Sequence, residues 1–297
     1  MKQILGMMML CLALFSGCRP SSDKGVIEIN VDYAVNGEAL EVDTLKYVNA
    51  AGNHFMVTEV QWFISHLEFQ NGDGNWVTFN SGDDTDDNTA HYFDTDLPET
   101  HRLQLKDVPQ GHYKALRFTF GLNEADNISG RFPNAPESNM FWPEPLGGGY
   151  HYIKLNGRWL NANDERAPFN VHLGMGQNSE LTEFYPNYFN VCIPIDLNVK
   201  PDSKATLRLT MVIDNWFQNP NNYDFNYYGG SIMQNQEAQQ ALKENGHDVF
   251  TISTSSLLDN ITKPIKDIVH AASPKPHFYT KENLGNLLSD IRKNKKP

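Results

Sequence analysis

An all-β chain folded as an antiparallel β-sandwich, with a few peripheral C-terminal helices, is what this sequence predicts. Three observations carry that expectation. Short segments alternate apolar and polar residues with a period of two; turn residues punctuate them at close intervals; and helix-period patterns are absent until late in the chain. The first such segment, "GVIEINVDYAV", sets Ile27, Ile29 and Val31 against Val26, Glu28 and Asn30. "HFMVTEVQWFISHLEF" is a longer β-rich run, and "NGDGNWVTF" after it supplies the turn and return strand of a hairpin. "HRLQLKDVPQGHYKALRFTFGL" repeats that hairpin pattern around a Pro-Gln-Gly turn. "FNVHLGM", "YFNVCIPIDLNV" and "KATLRLTMVID" complete the strands. Helices are expected in "IMQNQEAQQALKENG", which stops at Asn245-Gly246, and in "TKENLGNLLSDIRKNKK", where Leu284, Leu287, Leu288 and Ile291 share one face.

The chain begins with Lys2, an apolar run too short to cross a bilayer, and small residues ahead of Cys18. This pattern is that of a bacterial lipoprotein leader. Residues 1–17 form the signal peptide, Cys18 is the acylated N-terminus, residues 18–25 are a polar linker, and 26–297 make one domain tethered to the cell envelope. The expected address is the outer membrane, facing either the periplasm or the cell surface. Cys192 is then the only cysteine of the mature chain besides the lipidated one, so no intrachain disulfide forms; its place among Phe and Ile residues predicts an inert core thiol. A formal net charge of -12 argues against nucleic acid and anionic lipid surfaces as partners.

Catalytic signatures are missing: there is no Gly-rich phosphate loop, no Gly-x-Ser-x-Gly elbow and no His-Glu-x-x-His helix. The expectation is a binding protein and not an enzyme. The acidic run "GDDTDDN" lacks the spacing of an EF-hand and reads as a solvated loop. The sequons at Asn127 and Asn260 have little force behind a bacterial leader. Histidine is more informative, because ten occur and several lie in strands or beside turns. With so few thiols, a metal site would be nitrogen-rich, which suits copper, zinc, nickel or iron. Strand parity puts His151 on the face of Ile153 and Leu155, and His172 on the face opposite Phe169, Val171 and Leu173. Gly147, Gly148 and Gly149, between Trp142 and His151, suggest a sharp reversal that brings an indole and imidazoles together.

The order of "FISHLEF", "AHYFD", "VPQGHYKALRFTFGLN", "MFWPEPLGGGYHYIKLNG", "FNVHLG" and "IMQNQEAQQALKENGHDVF" resembles the MbnP-like proteins, across roughly residues 25–255. That group includes copper-binding envelope proteins of methane-oxidising bacteria and lipoproteins of Bacteroidetes type. The resemblance implies a β-sandwich that binds copper through two histidines, for storage or uptake. In some members it also implies a tryptophan oxidised to kynurenine by a partner dihaem cytochrome peroxidase. An outer-membrane transporter is a further expected partner. The positions that match are Trp142, His151 and His172, the expected metal-site residues; the Trp-x-His pairing of one copper-binding member is absent, since Trp62 precedes Phe63 and Ile64. Tyr150, Tyr152, Asn170 and Asn190 are the candidate supports for the ligands. Trp142 reads equally as the rim of the site or as a core anchor. The rival function is a non-metal module that receives a glycan or protein on the aromatic and Asn-rich stretches "WPEPLGGGYHY" and "NWFQNPNNYDFNYYGG".

Overall fold

The computed structural model describes residues 23–81 and 90–254. The strands, in chain order, are β1 (Lys24–Val35), β2 (Glu38–Ala39), β3 (Tyr47–Val48), β4 (His54–Gln70), β5 (Trp76–Val77), β6 (Ala90–Asp94), β7 (Arg102–Pro109), β8 (Gly111–Phe120), β9 (Ile153–Leu160), β10 (Arg166–Leu173), β11 (Met175–Gln177), β12 (Phe184–Pro186), β13 (Phe189–Val199), β14 (Lys204–Val212) and β15 (Phe250–Thr254). Two α-helices follow late, α1 (Phe225–Tyr228) and α2 (Gln236–Asn245). The side chain of Asn235 accepts from the Ala238 amide at the start of α2, and Gly246 follows its last residue as expected. The second expected helix, the acidic run, the leader and Cys18 lie outside the described residues. Among the described residues no helix is long and apolar enough to cross a membrane.

Two sheets face each other. One runs β15-β14-β1-β2, with β7 also pairing β1; the other runs β10-β9-β4-β8-β13, with β3, β5 and β6 along β4. Alternation explains the layers, because each strand sends every second side chain into the space between the sheets. Trp62 is the clearest case. Its ring on β4 is fully buried, 4.7 Å from Phe93 and 5.3 Å from Phe250, and its indole N–H donates across the core to the Tyr33 hydroxyl of β1 at 2.9 Å. It is a core anchor, and truncating a side chain of this size costs about 3–5 kcal/mol.

Three local expectations are corrected by the pairing. The segment 102–120 is no hairpin: β7 hydrogen-bonds β1 in one sheet, and β8 hydrogen-bonds β4 and β13 in the other. The Pro-Gln-Gly turn is a corner between sheets, where the chain leaves the ladder with β1 and enters the one with β4 and β13. β1 and β14 pair in parallel, from Val26 opposite Lys204 to Ala34 opposite Val212. Cys192 is an exposed thiol and not a core residue, since β13 turns Val191 and Ile193 inward and leaves Cys192 on the parity of Asn190 and Asp196.

A bulge shapes β4. Val57 lies opposite Gly157 of β9, but Glu59 and not Thr58 lies opposite Asn156. The extra residue switches the inward parity from Phe55 and Val57 to Val60 and Trp62, and turns Glu59 and Gln61 to the outer face.

Candidate metal centre

β9 and β10 are antiparallel neighbours, with Ile153 opposite Leu173 and Lys154 opposite His172. At the open end of this pair the chain before β9 folds back on itself. Two short 3-10 turns, Glu137–Met140 and Glu144–Leu146, flank Trp142. A small ladder then closes the loop: Trp142 N–H donates to Gly149 C=O at 2.7 Å, and His151 N–H donates to Met140 C=O at 2.6 Å. Gly147, Gly148 and Gly149 form the tip of this reversal, all with positive φ (109°, 67° and 81°). At Gly149 a Cβ would also stand 2.3 Å from the Asn127 side chain, so a side chain is excluded on both counts.

The reversal places three rings together. The Trp142 and His151 rings have centroids 4.7 Å apart, edge to face, and the His151 and His172 rings are 4.9 Å apart at 86°. Trp142 is 1% exposed and donates its indole N–H to Leu146 C=O at 2.9 Å. An indole N–H is a donor only, so Trp142 forms the wall of the site and offers no lone pair to an ion. Gly174, just past β10, makes room for it, since a Cβ there would meet the indole at 2.5 Å.

His151 is 5% exposed; its Nδ1–H donates to Met140 C=O at 2.9 Å, and its Nε2 is buried with no hydrogen-bond partner. Burial, with a smaller contribution from the nearby Lys154 ammonium, pushes its pKa down to about 4 against the opposing Met140 hydrogen bond. Burial, then His151, then Lys154 push His172 down to about 3. Both imidazoles are therefore neutral at pH 7. The Nε2–H of His172 donates to Asn156 Oδ1 at 2.9 Å, and Asn156 Nδ2 donates to Glu59 Oε2 at 2.8 Å. Lys154 donates to Asn139 C=O at 2.6 Å.

The sequence reading placed His151, His172 and Trp142 in one site, and the fold brings all three into contact. It misplaced the supports. Tyr150 OH accepts from Phe132 N–H, Tyr152 OH from Asn127, and Asn190 from Thr119, while Asn170 N–H bonds Gly230 C=O; none of these bonds holds an imidazole. The side-chain and carbonyl supports are Met140 C=O and Asn156. Asn156 shares strand parity with Lys154, the residue opposite His172, and that signal was present in the sequence. The parity assigned to His151 fails because β9 begins at Ile153, leaving His151 in the loop ladder.

A second group of potential ligands, Glu59, Asp94 and Asp96, has oxygens within 4.8 Å of one another. Asp94 already accepts from Asp96 N–H, Gln61 and the Tyr92 hydroxyl. The aromatic stretches of the rival reading are mostly interior: Trp142, Tyr150, Tyr152, Trp216, Phe217, Tyr223 and Phe225 are buried, while Tyr227 faces solvent.

The MbnP family profile matches residues 24–235. The chain belongs to the MbnP family. A solved structure, MbnP from Methylosinus trichosporium, superposes with a TM-score of 0.52 at 12% identity, covering 78% of this chain and 99% of that one. At that identity the likeness is one of fold. No curated protein sequence matches this MbnP-family chain.

Proposed function

We propose that this protein binds copper in the cell envelope, for storage or uptake, through His151 and His172. The observation that carries the reading is the Nε2 of His151: a nitrogen lone pair buried without a partner, on a neutral ring packed against a second neutral imidazole. Leaving such an acceptor unpaired costs about 1–3 kcal/mol, which a bound cation would offset. Nitrogen donors suit copper, and copper(II) is held most strongly of the divalent first-row ions by a given donor set. Two imidazoles are available here, with water or backbone oxygen to complete the coordination. His151 and His172 would hold the ion, and Trp142 would exclude water from one side. The role is binding and not catalysis. Tethering through Cys18 to an outer-membrane surface, and partnership with a dihaem cytochrome peroxidase or an outer-membrane transporter, follow from the lipoprotein leader and the family resemblance.

Metal analysis of the lipid-free protein tests this. Copper should be retained through chelator challenge by wild type and lost from both His151→Ala and His172→Ala. A wild type that is metal-free after copper exposure and chelation ends the proposal. Peptide mass analysis of protein from native cells tests Trp142 separately: an unmodified mass rejects kynurenine there. The glycan or protein module keeps Tyr227 and its neighbours as a platform, and unchanged Trp fluorescence across a sugar panel would remove the glycan form of it.

A further inference from the structure

We infer that Glu59 and Asn156 lock the tautomer of His172, so that the pair presents Nε2 from His151 and Nδ1 from His172. The purpose of this lock rests on the metal-binding reading above; its geometry does not. Asn156 Nδ2 lies 2.8 Å from Glu59 Oε2. A carboxylate only accepts, so the amide nitrogen must face it, and flipping Asn156 would set its oxygen against the carboxylate. Oδ1 is thereby committed to His172, 2.9 Å from Nε2. An amide oxygen also only accepts, so Nε2 carries the hydrogen and the lone pair of the neutral ring is on Nδ1. At His151 the same rule runs the other way. Met140 C=O takes the hydrogen on Nδ1, and Nε2 is the bare nitrogen.

The bulge in β4 makes the lock. Without the inserted residue, Thr58 would stand opposite Asn156; with it, Glu59 does, on the outer face that also carries Lys154 and His172. Asn156 and His172 are diagonal neighbours across β9 and β10, within the reach expected of such pairs. The Glu59 carboxylate at the far end of the relay polarises the Nε2–H bond through Asn156 and makes Nδ1 the better donor to a cation. Glu59 and Asn156 are positioning residues: they act through His172 and do not reach the ion.

Long-range 15N–1H NMR of the metal-free protein at pH 7 reads these tautomers directly. The expected spectrum shows His172 with hydrogen on Nε2 and His151 with hydrogen on Nδ1; hydrogen on Nδ1 of His172 overturns the inference. Glu59→Gln can turn either an oxygen or an amide group toward Asn156, so it should admit a minor share of the other tautomer. Glu59→Leu and Asn156→Leu should convert His172 to a tautomer mixture and weaken Cu(II) binding by about 10–100-fold. The unchanged His151 signal certifies that each variant is folded, and a His172 tautomer that survives both Leu variants refutes the lock. Because NMR needs no metal, assigned tautomers without Cu(II) uptake count against the copper reading alone. Copper uptake with the opposite His172 tautomer counts against this inference alone.

Discussion

Two histidine sites, one at His66 on β4 and one where His172 of β10 meets His151 of the loop before β9, differ in the respects that matter for binding. His66 sits in a bulge of β4 at φ 51°, half-exposed, with Nε2 facing the Asp126 carboxylate and near the Asn123 amide, while Arg131 donates to the same Asp126. His151 and His172 are packed out of water, hold no carboxylate between them, and leave a nitrogen of His151 without a partner. At the first site the ring reaches solvent and faces a carboxylate, so no nitrogen there is buried without a partner. The second cluster is incomplete as folded. An unmet buried lone pair is therefore a better guide to a site than histidine count or clustering.

The largest expected effect breaks or sustains that contrast directly. His151→Ala should lower Cu(II) affinity, measured by chelator competition, by about 100-fold or more, exceeding the loss from an outer partner. His66→Ala should leave affinity within about twofold, since its ring faces Asp126 and solvent and leaves no buried nitrogen without a partner. Equal losses in the two variants would dissolve the distinction.

Next in size is the pH dependence of stability. The rings of His151 and His172 stay neutral in the folded protein down to about pH 4 and 3, whereas in the unfolded chain they take up protons near pH 6.5. Nothing is lost above pH 6.5. Below it the unfolded state binds more protons, and each histidine removes about 1.4 kcal/mol of stability per pH unit until its folded value is reached. Urea unfolding at pH 7.0 and 5.0 should show this loss, and His172→Leu should reduce it. Proton competition for the site likewise starts only near pH 4, so Cu(II) binding should persist at pH 5.

A smaller effect tests the wall. Gly174→Ala pushes a Cβ into the Trp142 ring and should cost about 1–3 kcal/mol in thermal unfolding. The smallest belongs to the exposed thiol. Cys192→Ser should change stability by less than about 0.5 kcal/mol, and Cys192 should react fully with a thiol reagent in the folded protein.

Much of this was legible because burial writes itself into strands with a period of two. Ile27, Ile29 and Val31 of β1, and Phe169, Val171 and Leu173 of β10, point inward as their alternation says. The glycine triplet likewise announced the reversal that joins Trp142 to His151. Pairing was less legible, since Pro-Gln-Gly reads the same whether two strands form a hairpin or part into separate sheets, as β7 and β8 do. Nothing local marks the union of β1 with β14, about 180 residues away. The relay from Glu59 depends on one inserted residue in β4, and a bulge leaves no signature in an alternation that simply changes phase.

The strand that bears His172 is the outermost of its sheet, yet it is not bare. Pro168 has no N–H to offer, Asn170 gives its own to Gly230, and Gly230 runs so close that a methyl group there would strike the Pro168 carbonyl at 2.2 Å. At these positions the flank is covered by its own chain, and neither residue offers a rung for another molecule to extend. A second copy meeting this flank would thus engage side chains, and the imidazole would keep its place.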